Sequence, residues 1–146
     1  MIGLVVLMGL PASGKTTLCR ALDRWQHSPS NKDGAVLVLH VELDRVLPSP
    51  VHLLPTDSDN ASWRAQRRML LNRVGALLAS LSNGATTTTE LRTPFDALKL
   101  DVALIGRLAA ARQVLVLVDD NMYYSSMRHE VHHLSRKCTQ QRDRPI

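Results

Sequence analysis

Apolar residues fall along this chain in three nearly continuous runs and several spaced series. Ile2 to Met8, Ala35 to Val41 and Val114 to Val118 are short aliphatic stretches rich in valine and leucine, the pattern of strands covered on both faces in a parallel sheet. Between them the period changes. Leu18, Ala21, Leu22 and Trp25 recur at helical spacing after a glycine-rich turn, and Trp63, Leu70, Val74, Leu77 and Leu81 fall on one narrow helical face. Asp59 or Asn60 can cap that second helix, Asn83-Gly84 supplies its stop, and Arg64 and Arg68 flank its apolar face as a solvated basic edge. Ala97 to Ala111 predicts a further helix, and Met127, Val131, Leu134 and Cys138 stripe a last one.

Three stretches break the periodicity. Ser28 to Gly34 reads as a loop, and in Pro48 to Asn60 the prolines at 48, 50 and 55 exclude a regular helix. Thr86 to Pro94, with four consecutive threonines, reads as a loop or insertion without catalytic chemistry, and the polar stretch after Cys138 shows no element of its own. The strand–loop–helix–strand order at the start predicts a parallel crossover unit. The whole predicts an α/β sandwich of three layers, with helices on both faces of a parallel sheet.

Composition adds limits. A chain of 146 residues, 45% of them hydrophobic, can bury one core, and with only 3% aromatics that core is built from Leu, Val and Ala. The net charge of +5 favours a polyanionic partner, though many ordinary domains are as basic. Cys19 and Cys138 form no CxxC pair, which argues against a disulfide or metal framework and for a reducing, cytoplasmic setting. The apolar run Leu4 to Leu10 is too short to span a bilayer, and no signal peptide is expected.

The chemistry begins at Gly9-Leu10-Pro11-Ala12-Ser13-Gly14-Lys15-Thr16, which fits the Walker A pattern of the P-loop NTPases. Successive backbone N–H groups of such a loop wrap a phosphate, and Gly9 and Gly14 allow the tight turn. Lys15 is placed to bridge the β and γ phosphates of ATP and the Thr16 hydroxyl to ligate Mg²⁺, while Thr17 is grouped with this cradle although its ordinary reading is a helix position. The following helix points its positive end at the same anion.

Acids stand where a P-loop site needs them. Asp119 ends the third run and is the candidate second metal ligand; Asp120 shares that task or caps a turn. Glu42 and Asp44 follow the second run, and Asp44 is the candidate general base, with a turn cap before Pro48 as its other reading. His129 and His133 are spaced for chelation on one helix, but without a third ligand a solvated face is the better reading.

From Asp119 to Val131 the run Asp-Asp-Asn-Met-Tyr-Tyr-Ser-Ser-Met-Arg-His-Glu-Val resembles the Asp-Asp-Asn-x-Tyr-Tyr-x-Ser-Met-Arg-x-Glu signature of the O-phosphoseryl-tRNA(Sec) kinase family, also called L-seryl-tRNA(Sec) kinase. Leu134 to Lys137, the phosphate loop, Leu43 to Pro48 and the long helix with Trp63 near its start are similar to the same family. The resemblance implies transfer of the γ-phosphoryl group of ATP to the seryl hydroxyl of Ser-tRNA(Sec), the precursor of selenocysteinyl-tRNA. It implies that Lys15 and Thr16 serve nucleotide and Mg²⁺, that Asp44 approaches the hydroxyl and that Asp119 assists the metal. Tyr123, Tyr124 and Arg128 would shape the acceptor side, or pack a loop over the sheet edge. The resemblance runs to about Cys138, where family members continue with another strand, an arginine-bearing lid and a helical tRNA-binding domain. Residues 139–146 match none of these, so the expectation is an incomplete kinase domain over 1–138 with a divergent tail over 139–146 and no evident protein partner. Two other classes share the phosphate loop: a P-loop kinase of small metabolites, and a nucleotide-binding, tRNA-associated module without turnover.

Overall fold

The computed structural model of the chain describes residues 1–10, 12–47, 57–120 and 125–142, with side chains except over 57–63 and 137–142. The three aliphatic runs form strands β1 (Ile2–Leu7), β2 (Val36–Glu42) and β3 (Gln113–Asp119). All pair parallel in the order β1-β3-β2, with Leu7 and Glu42 both in register with Asp119. The carboxyl ends of all three strands therefore meet at one rim, where open parallel sheets gather ligands. The first crossover skips a place: β2 is not beside β1, because β3 lies between them.

Helices are α1 (Lys15–Trp25), α2 (Leu43–Val46), α3 (Asp57–Ser82), α4 (Thr88–Ala97), α5 (Ile105–Leu108) and α6 (Ser125–Arg142). Side chains alternate across each strand. One face, carrying Leu37, Leu39, Val41, Val114, Val116 and Val118, packs under α3 to α6 in the main core. The other, with Val38 and Leu117, packs against Cys19 and Leu22 of α1. Helices thus lie on both faces, as a three-layer sandwich requires.

Burial on both faces holds for the central β3 but not for β1. With a neighbouring strand on one side only among the described residues, β1 leaves Val5 42% exposed. The stripe read on α1 is also rotated. Cys19 and Gln26 are buried at its sheet-facing side, whereas Leu18 is 53% and Trp25 37% exposed. Gln26 explains the shift: its amide donates to Val38 O at 3.1 Å and accepts from Val38 N at 3.0 Å, closing the ladder along β2.

The long helix α3 begins at Asp57, ahead of the caps expected at Asp59 or Asn60, so the irregular stretch does not extend through 57–60. It ends as expected. Gly84, at φ +84°, donates to Leu81 O while Ala85 donates to Ser80 O, both at 3.0 Å, a Schellman closure that satisfies two otherwise orphaned carbonyls. The stretch read as a loop from Thr86 to Pro94 is helical from Thr88 onward. Thr87 caps α4 in a capping box with Glu90, whose carboxylate accepts from the Thr87 hydroxyl at 2.7 Å, and these bonds hold the Glu90 carboxyl below its ordinary range. Helix α4 then buries Leu91 and Phe95 completely, so Ala97 ends a helix instead of starting one. Only Val102–Leu104, as a 3-10 turn, and Ile105–Leu108 are helical in the stretch after it. Helix α6 continues to Arg142, which places 139–142 inside an element. No helix among the described residues is long and apolar enough to cross a membrane.

Candidate functional site

The loop after β1 turns through positive φ at Gly9 (+151°), Ala12 (+58°) and Gly14 (+87°) before α1 begins at Lys15. Glycine is required at position 9, where an added Cβ would stand 3.1 Å from Ser13 Oγ at a φ unfavourable to side chains. Lys15 bends back over this loop. Its ammonium donates to Gly9 O at 3.0 Å, Leu10 O at 2.7 Å and Ser13 Oγ at 3.3 Å. The cation, the loop and the positive end of an 11-residue helix therefore converge at one point.

That point is a pocket of about 280 Å³. Ala12 to Thr17 line it together with Asp44, Asp119 and Asp120. Residues scattered over the chain thus share one cavity, including Thr17. Pro11, Tyr123 and Tyr124 lie outside the described residues.

The acids differ in their surroundings. Asp119, 4% exposed at the end of β3, has His40 Nε2 at 3.4 Å from its Oδ2. Asp120, 6% exposed, is held by Arg67, whose Nε and Nη2 donate to its Oδ2 at 3.1 and 2.7 Å. Arg67 Nη1 also donates to Glu130 Oε2 at 3.0 Å, tying α3 to both β3 and α6. Asp120 both faces the pocket and braces the fold. Asp44 stands in the first turn of α2, beyond the cap position held by Glu42, so it does not cap that turn. Burial, and then the charges of Asp120, Asp119 and Glu42, push its carboxyl above the ordinary range against the pull of Lys15. A raised carboxyl is the stronger base once ionised. The donor set also fits a hard divalent cation: the Thr16 hydroxyl and the Asp119 and Asp120 carboxylates face one cavity and offer only oxygen.

Arg128 is not brought to this pocket. It lines a separate cavity of about 300 Å³ between β1 and α6, with Leu4, Val6 and Met8. His129 and His133 line a third, of about 540 Å³, between α3 and α6. The residue missed in the sequence is Arg67. It lies in helical phase with Leu70, Leu71 and Val74, three, four and seven positions on, and that phase was the available signal.

A lysine-bearing phosphate cradle that opens onto acids at the carboxyl rim of a parallel sheet defines the P-loop class of α/β proteins. Within that class the chain is 31% identical to L-seryl-tRNA(Sec) kinase of Homo sapiens over 158 residues, which cover 92% of this chain and 43% of the human protein. It is equally identical, 31%, to L-seryl-tRNA(Sec) kinase of Mus musculus over 157 residues, 93% of this chain and 43% of the mouse protein. No family model matches the chain, and no solved structure matches it significantly. By sequence the chain belongs to the L-seryl-tRNA(Sec) kinase family, and it spans less than half the length of the curated relatives it matches.

Proposed function

We propose that the chain provides the phosphoryl-transfer centre of a kinase that phosphorylates the seryl group of L-seryl-tRNA(Sec), using ATP. One observation supports this above others: Lys15 with its loop and the raised carboxyl of Asp44 line a single pocket. Similarity to two kinases of this name supports the acceptor.

In this reading the loop from Gly9 to Thr17 holds the triphosphate, and Lys15 exchanges its bonds to Gly9 and Leu10 carbonyls for β and γ phosphate oxygens. Thr16 and Asp119 hold Mg²⁺, which when bound neutralises charge on the transferring group. Asp44 accepts the proton of the seryl hydroxyl as its oxygen bonds to the γ phosphorus. The bond from that phosphorus to the bridging oxygen breaks, and ADP leaves. Asp120, fixed by Arg67, keeps the rim of the pocket negative and in place. Tyr123 and Tyr124 serve the acceptor side, whereas Arg128, which lines the separate cavity between β1 and α6, is not part of this pocket. Burial of an unpaired thiol at Cys19 agrees with a reducing, cytoplasmic setting.

The test is incubation of the purified chain with Mg²⁺, γ-labelled ATP and Ser-tRNA(Sec), with Ser-tRNA(Ser) and free small alcohols as controls. Label on the Sec acceptor alone, abolished by Asp44→Asn, is expected. Label on a free alcohol without tRNA dependence would replace this reading by a metabolite kinase. ATP binding without transfer to any acceptor would leave the chain a nucleotide-binding module.

A further inference from the structure

A second cluster of metal-binding atoms adjoins the phosphate pocket. In the parallel register His40 stands opposite Leu117 and Glu42 opposite Asp119, so His40 and Asp119 project from the same face of adjacent strands. Helix α1 lowers Cys19, wholly buried, onto that face beside Val38 and Leu117. The cysteine sulfur, an imidazole nitrogen and a carboxylate oxygen, from three different elements, all lie within 4.8 Å of one another.

We propose that Cys19, His40 and Asp119 form a site for a thiophilic divalent cation of the Zn²⁺ type. The spacing supports it. A tetrahedron with metal bonds of roughly 2.0–2.1 Å has an edge of about 3.3–3.4 Å. His40 Nε2 and Asp119 Oδ2 already stand 3.4 Å apart. That is longer than the roughly 2.7–2.9 Å of a charge-assisted hydrogen bond, so the pair is held near but not closed. With a Zn–S bond of about 2.3 Å the sulfur must approach the other two donors to about 3.6 Å. The required movement is on the order of 1 Å, within reach of a small side-chain rotation. Sulfur, imidazole and one carboxylate suit Zn²⁺ and Co²⁺, not the all-oxygen preference of Mg²⁺.

Asp119 lines the phosphate pocket, which gives the ion an entry path. The thiol proton leaves to solvent as sulfur binds. An ion held here withdraws Asp119 from the Mg²⁺ side, so Zn²⁺ would inhibit phosphoryl transfer reversibly. That consequence rests on the kinase reading; the site does not.

The test titrates the full chain, carrying Cys138→Ser to silence the other thiol, with Co²⁺ followed by absorbance. A sulfur-to-cobalt charge-transfer band is expected, saturating at one ion per chain, bleached by Zn²⁺ and lost in Cys19→Ser. Absence of the band, or its survival in Cys19→Ser, overturns the proposal. Should Cys19→Ser not fold, as judged by circular dichroism, His40→Gln decides. Its Co²⁺ affinity should fall on the order of 100-fold, at least the loss seen when mere supporting groups of a metal site are removed; an unchanged affinity overturns the site. Because the band is read without ATP or tRNA, failure of this site and failure of the kinase reading are told apart.

Discussion

Replacing Arg67 with methionine isolates what the buried ion pair contributes. Methionine keeps an unbranched stem and a nearly equal helix propensity, so packing and the intrinsic preference of α3 change little. The charge disappears, and the two acids it served fare differently. The Glu130 side chain is 39% exposed and keeps Arg68, whose Nη2 lies 3.7 Å from its Oε1, so its loss is small. Asp120 is 6% exposed and loses both bonds that Arg67 makes to its Oδ2. Stranding one member of a buried pair costs about 3–5 kcal/mol, a large part of the roughly 5–15 kcal/mol that keeps a domain folded. For a chain of this size that corresponds to a fall in Tm of roughly 10–16 °C. Urea denaturation at neutral pH measures it. Arg67→Met combined with Asp120→Asn should recover a large share, since no ionised group is then left unpaired. The reasoning is refuted by an Arg67→Met variant within about 1 kcal/mol of the parent, or by a double variant whose loss equals the sum of the two single losses.

Two further outcomes follow from the same geometry. Asp44 has a folded-state carboxyl raised above its unfolded value, so the native protein loses stability as pH rises from the ordinary aspartate range near about 3.9 through the folded value. Asp44→Asn removes that loss: thermal melts should show it stabilised at neutral pH, with the gain vanishing in acid, while transfer to the seryl acceptor is abolished. A gain equal at both pH values would show that charge is not its source. Phe95→Ala should cost about 3–5 kcal/mol in chemical denaturation, because Phe95 is fully buried in the main core; a cost under about 1 kcal/mol would mean that α4 is an appendage after all.

Local patterns in the sequence were enough for the strands and for the phosphate loop. A continuous aliphatic run has few alternatives to a buried strand, and the cradle from Gly9 to Thr16 is built from consecutive backbone groups whose geometry depends on its own glycines. The acids at strand ends were legible for the same reason, since a strand's end is local information. Helix α4 was legible too, in Thr87 and Glu90 at capping-box spacing, but the run of four threonines masks that signal.

What the sequence by itself determined is thus the inventory: which segments are strands, where the glycine–lysine loop turns into a helix, and which carboxylates stand at the rim. The tertiary structure decided everything that depends on which segments become neighbours. Placing β3 between β1 and β2 buries Asp119 centrally and leaves β1 as an edge, and no single strand's pattern encodes that order. Hydropathy assigns any arginine to solvent. Arg67 is buried because Asp120, 53 positions away, offsets its charge there. Cys19 and His40 read as an isolated thiol and a strand residue until α1 packs across the sheet and brings both to Asp119. Charge compensation and the clustering of donor atoms are properties of contacts, and contacts between distant segments exist only once the chain has folded.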